Sequence, residues 1–147
     1  MKIKGSIDIK KPRAVVVHYF ADPKYLSNYQ DGFIKKELIS GEPGKEGAVS
    51  KMNYRYGKRE MELIETITTN NLPDRFAANY VHKQMENTMV CTFTEINDQL
   101  TRYNYEVHYT LIKWFMPKLM ALLFPSVYRK QIEKWMSQFK SFVEDEG

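Results

Sequence analysis

From Arg102 to Leu111 the chain alternates between bulky and polar residues. Tyr103, Tyr105, Val107, Tyr109 and Leu111 fall on one side, and Arg102, Asn104, Glu106, His108 and Thr110 on the other. Successive side chains of an extended chain point to opposite faces, so this run is a strand with one apolar, hydroxyl-tipped face. The period then changes. Val127, Tyr128, Ile132, Trp135, Met136, Phe139, Phe142 and Val143 recur at helical spacing, while Arg129, Lys130, Glu133, Lys134, Gln138, Lys140 and Glu144 take the opposite side. That is an amphipathic helix whose apolar stripe must be buried, and the sheet face is the partner large enough to bury it.

The rest of the chain supplies the sheet. Residues 2–10 alternate, with Ile3, Ile7 and Ile9 on one face and Gly5 expected as a bend or bulge. Pro12 opens a short helix, and Asp22-Pro23 caps a second that runs to about Tyr29 and ends at Asp31-Gly32. A meander follows, with strands expected at 33–40, 48–56, 59–69, 75–82, 88–96 and 100–112. The connections are a glycine-rich segment at 41–47, a two-residue hairpin at Gly57-Lys58, loops at 70–74 and 83–87, and Asn97-Asp98. Leu119 to Phe124 reads as a short helical piece, and Ser126, after Pro125, as the start of the last helix.

With 147 residues the expectation is one α+β domain spanning 1–147. The charge of +4 comes from 22 basic and 18 acidic residues spread along the chain, which is not a nucleic-acid footprint. The densest basic cluster is only Lys10, Lys11 and Arg13. Cys91 is the single cysteine, so no intrachain disulfide and no cysteine-based zinc site is expected. No apolar run reaches the ~18 residues of a spanning helix, and residues 1–5 lack a secretory pattern. The reading is a soluble, cytoplasmic protein with no metal, no cofactor and no stable membrane insertion.

This order of elements resembles the helix-grip fold of the START-like superfamily, which includes birch-pollen-allergen-like, polyketide cyclase/dehydrase and lipid-transport proteins. The anchors are Ile7-Asp8-Ile9 running into Pro12-Arg13-Ala14-Val15-Val16, then Phe20-Ala21-Asp22-Pro23, Leu26 and Tyr29. Gly41, Gly44 and Gly47, then Glu65, Ile67 and Pro73, continue the match. The resemblance covers the whole chain. It implies a curved antiparallel sheet of about seven strands wrapped around the C-terminal helix, two short helices after the first strand, and a cavity between sheet and helix for an apolar guest.

An inward row of Tyr54, Tyr80, His82, Tyr103, Tyr105 and Tyr109 is expected to face Trp135, Met136 and Phe139. Several buried hydroxyls suit a mostly apolar ligand with one or two polar atoms, although rings at strand spacing also fill cores. Trp114 and Phe115 begin an apolar stretch through Pro125 that would cap the cavity or serve as a lid, with transient membrane contact. His82 is the one histidine placed near the cavity, and His108 is expected to be exposed. Glu62 and Glu65 point to opposite faces. If the Leu63, Glu65, Ile67 row is inward, Glu65 is a buried carboxylate able to act as acid or base. If not, Glu65 joins Glu60 and Glu62 on a solvated edge, the commoner arrangement. Cys91 reads as a small buried hydrophobe.

The first functional reading is a non-catalytic carrier or sensor of a small hydrophobic molecule: a lipid, polyketide or aromatic. The alternative is a cyclase or dehydrase-type enzyme using His82, Tyr80 or Glu65 as acid/base. A third reading is a protein-interaction module with a filled cavity and an exposed apolar patch.

Overall fold

The computed structural model describes residues 1–83, 85–112 and 125–146. In chain order the elements are β1 (Lys2–Ile9), α1 (Arg13–Ala21), a 3-10 turn (Pro23–Tyr25), α2 (Leu26–Tyr29), β2 (Phe33–Ser40), β3 (Val49–Tyr56), β4 (Arg59–Asn71), β5 (Arg75–Val81), β6 (Met85–Asn97), β7 (Leu100–Ile112) and α3 (Pro125–Glu146). The sheet has seven strands in the order β1-β7-β6-β5-β4-β3-β2. Every neighbouring pair is antiparallel. Strands β2 to β7 form a plain meander, and the first strand closes on the last. This is the expected α+β architecture, with α3 packed into the sheet's inner face.

Local chemistry sets the joints. Tyr56 pairs with Arg59 across a two-residue turn in which Gly57 has φ +64°, a conformation that favours glycine. The Asp22 side chain accepts from Lys24 N–H at 3.0 Å, and Pro23 follows at the first helical position. The helix expected there divides into the 3-10 turn and the single turn of α2.

Three local expectations are corrected. Gly5 makes no bulge, because β1 pairs with β7 in unbroken register from Lys2–His108 to Ile9–Thr101. Glycine is needed for close approach instead: a Cβ at Gly5 would stand 2.3 Å from the Tyr105 hydroxyl oxygen. Strand β6 begins at Met85 rather than Thr88, because Met85 pairs with Ile112 and the His82 N–H closes the turn onto Met85 O at 2.9 Å. Helix α3 starts at Pro125, one residue earlier than expected. The predicted helical piece at 119–124 lies outside the described residues, as do Trp114 and Phe115.

The core unites both layers. Ile3, Ile9, Met52, Tyr54, Cys91, Phe93, Tyr103, Tyr105 and Val107 from the sheet meet Ile132, Met136, Phe139 and Val143 from α3. Towards α1 the interior is filled by rings. Phe20 packs edge-on against Phe93 at 5.0 Å, Phe76 at 5.4 Å, Tyr103 at 5.9 Å and Phe139 at 6.3 Å between centroids. Burying Phe139 and Val143 contributes about 1.5–3 kcal/mol each.

Candidate functional site: a polar band across the inner face

The strand register brings five polar side chains into one line. Tyr109 on β7 faces Asn87 on β6, Asn87 faces Tyr80 on β5, Tyr80 faces Glu65 on β4, and Glu65 faces Ser50 on β3. Directly opposed residues share a sheet face and lie about 4.5–5.5 Å apart. The adjacent rows on this face are mainly apolar, with Ile67 4% exposed and Met52 3%, and Met52 stands opposite Lys36. A hydrogen-bonding band therefore crosses a largely hydrophobic inner surface.

Glu65 is the centre of that band. The Leu63, Glu65, Ile67 row is the inward one, and Glu65 is 4% exposed. The solvated edge holds for Glu60 and Glu62, which are exposed, and not for Glu65. Burial of a carboxylate requires partners. The Tyr80 hydroxyl donates to Glu65 Oε2 at 2.8 Å, and Lys36 Nζ stands 2.8 Å from Oε1. Lys36 holds Oε1 by charge, and that oxygen accepts no hydrogen bond from another of the described residues. The Lys36 side chain keeps 21% exposure where Glu65 keeps 5%. Burial, then the Glu65 charge and hydrogen bond, raise the Tyr80 pKa well above its ordinary value, so Tyr80 stays a neutral proton donor.

The expected tyrosine row divides in two. Tyr54, Tyr103 and Tyr105 are buried core rings. The Tyr54 hydroxyl donates to Gln30 Oε1 at 2.8 Å, and that of Tyr103 meets Cys91 Sγ at 3.2 Å. Burial pushes the Cys91 thiol up to about 12, against a smaller opposing effect of Tyr103, so the sulfur is a packed hydrophobe. Tyr80, Tyr109 and His82 are only partly buried, alongside the inward Met61, Leu63, Asn87 and Met89. Buried rings thus occupy the α1 end, while the inward residues at the other end keep partial exposure.

His82 lies just past β5, with the strand parity of Tyr80. Burial first, then Lys83 and Arg59, lower its pKa and keep the ring neutral near pH 7. His108, expected to be exposed, is half-buried between Lys2 and Thr88 on the flanking strands. On α3, Met136 and Phe139 are buried in the core. Trp135 is partly buried, and its Nε1–H has no hydrogen-bond partner among the described residues.

Sequence reasoning missed Lys36, Ser50 and Asn87. Lys36 turns inward because β2 carries an irregularity between Phe33 and Lys35 that restarts the alternation. Ser50 and Asn87 become notable only when the hairpin registers place them beside Glu65 and Tyr80. A separate surface cleft of about 620 Å³ lies between the Ser27–Phe33 segment and α3, and its lining includes none of Lys36, Glu65 or Tyr80. No helix among the described residues is long and apolar enough to cross a membrane.

No family model and no curated protein matches this sequence. Solved structures match along its whole length. A conserved protein from Geobacillus kaustophilus superposes with a TM-score of 0.79 at 18% identity, covering 99% of this chain and 96% of that one. The Zhui aromatase/cyclase from Streptomyces sp. R1128 gives a TM-score of 0.78 at 9% identity, with 98% and 93% covered. Norcoclaurine synthase from Thalictrum flavum, in complex with dopamine and hydroxybenzaldehyde, gives 0.71 at 13% identity, with 100% and 88% covered. The chain has the helix-grip fold of the START-like, birch-pollen-allergen-like superfamily. At these identities the likeness concerns the fold, which hosts many functions.

Proposed function

We propose that the protein binds a small, largely apolar molecule between the sheet and α3, with a polar group of the guest set against the Glu65–Tyr80 band. The observation that carries this reading is the line of hydrogen-bonding side chains crossing an apolar face, with its Tyr80 and Tyr109 members still partly exposed. Apolar rows supply most of the affinity through desolvation, and a few polar atoms orient the guest. The buried Trp135 N–H adds a donor from the helix side. The fold also suits such a guest: a relative of similar architecture was solved with dopamine and hydroxybenzaldehyde, both small aromatic molecules carrying hydroxyl groups.

The test is native mass spectrometry of the purified protein, followed by calorimetry with phenols, hydroxylated polyketides and fatty acids. A bound species is expected whose affinity falls about 3–10-fold in Tyr80→Phe, the value of one lost hydrogen bond. A broad panel with no ligand and no thermal stabilisation would remove the support for binding.

One observation favours a second, enzymatic reading. Glu65 is bonded at once to a phenol and an ammonium, which gives a proton acceptor beside a proton donor on one face. Under that reading Glu65→Gln abolishes turnover of a bound polyketide while leaving its affinity nearly unchanged. Under the carrier reading no turnover is detected in either form.

A further inference from the structure

The two edges of the sheet differ. At β1, side chains of α3 occupy the backbone. Arg129 donates to Lys4 O at 3.0 Å, Lys140 Nζ donates to Asp8 O, and Lys10 N–H donates to Glu144 Oε2 at 2.8 Å. The opposite edge is β2. It carries Ile34, Leu38 and Ile39, which are 48%, 46% and 57% exposed. An edge strand with large exposed apolar side chains is a template for pairing with another strand.

We infer that β2 pairs antiparallel with β2 of a second copy of this chain, about a two-fold axis at Lys36. Irregularities between Phe33 and Lys35 and between Leu38 and Ser40 bound a short regular stretch, Lys35–Leu38, in which the charged centre is flanked by apolar residues on both sides. Lys35 and Glu37 pair with Asn53 and Lys51, and Lys36 pairs with the buried Met52 between them. Lys35 and Glu37 therefore share the outer face, and Lys36 lies on the inner one. Directly opposed residues of a ladder occupy the same face, so the axis must pass through a residue and not between two.

Charge then selects the residue. Only an axis at Lys36 sets opposite charges against each other; an axis at Glu37 or at Lys35 opposes that charge to itself and forms no new ion pair. An axis at Lys36 puts each Lys35 opposite the partner's Glu37 and brings Ile34 beside the partner's Leu38. Lys36 meets its own equivalent there, but Glu65 already compensates its charge at 2.8 Å. Within one copy Lys35 and Glu37 contact each other at 2.6 Å, so pairing joins two existing ion pairs into a closed quartet. The dimer has one continuous sheet with both α3 helices on the same side.

Sedimentation equilibrium of the full chain tests this. The wild type is expected to dimerise, and Lys35→Glu and Glu37→Lys are each expected to weaken the dimer about tenfold or more, because like charges then oppose. Both side chains are about half exposed, so both variants should fold, which circular dichroism verifies. An equimolar mixture of the two variants should form heterodimers by native mass spectrometry, since every opposed pair is again of opposite sign. The double variant Lys35→Glu/Glu37→Lys should recover wild-type dimerisation. A wild type that stays monomeric at about 100 μM overturns the inference. So does a dimer indifferent to both reversals, or a mixture that yields no heterodimer.

Discussion

The Tyr80 hydroxyl donates to Glu65 Oε2 at 2.8 Å from the residue directly opposite on β5. Two strands thus deliver a donor and an acceptor to the same point of an apolar surface, and Lys36 arrives from a third. The arrangement needs all three members, because a carboxylate this deep is tolerated only with compensation.

Removal of the cation should therefore cost more than removal of the pair. Lys36→Met is expected to destabilise the fold by about 2–3 kcal/mol, below the ~3–5 kcal/mol of a fully buried pair because Lys36 retains contact with water. Lys36→Met/Glu65→Leu should recover most of that loss. Urea denaturation of the wild type and both variants measures it, and a double variant as unstable as the single one would contradict the argument.

Gly5→Ala should destabilise by about 1–3 kcal/mol, as expected for forced overpacking. The new methyl would lie 2.3 Å from the Tyr105 hydroxyl oxygen and 2.5 Å from the ring carbon that bears it. Combining it with Tyr105→Leu should relieve the clash, so the two substitutions should be non-additive in denaturation midpoints. Simple additivity would mean that the contact does not limit the site.

Alkaline pH should weaken the fold through Cys91. Its thiol is pushed up to about 12 in the native protein by burial, from an ordinary value of 9.0. Between those values the unfolded chain gives up a proton that the native chain retains. The stability contribution is whole below pH 9 and falls by up to ~1.4 kcal/mol per pH unit above it. Cys91→Ala should flatten this slope in thermal melts taken from pH 8 to 11, though Tyr80 and Tyr103 contribute in the same direction. An unchanged slope would assign the whole effect to the tyrosines.

His82 should act at the acid side. Burial, Lys83 and Arg59 hold its pKa below 6.5, so the unfolded chain takes up the proton first. Stability is complete above pH 6.5 and declines as pH falls towards the native value. Lys83→Gln should raise that value, as read from imidazole chemical shifts. No upward movement would remove Lys83 as a cause.

Period-two alternation carried most of the architecture. It placed β3 and β7 to within a residue, and the stripe on α3 identified the layer the sheet must hold. The band was less legible. Tyr80 stood out as an inward aromatic, but the inward face of β4 depends on register with β3, and two faces of equal length look alike in sequence. Lys36 was hidden for a sharper reason. The β2 irregularity at Ile34 reverses the parity that simple counting from Phe33 assigns. Of the two roles open to the tyrosine row, core packing describes Tyr54 and Tyr103, whose hydroxyls meet Gln30 and Cys91 within the fold.

The pairing of β1 with β7 also bears on how the chain is made. Lys2 finds its ladder partner only at His108, so the amino-terminal strand must wait through nearly the entire meander before it can dock. A nascent chain on the ribosome would carry that segment unmatched until β7 has been made. Contacts of such long sequence separation slow folding.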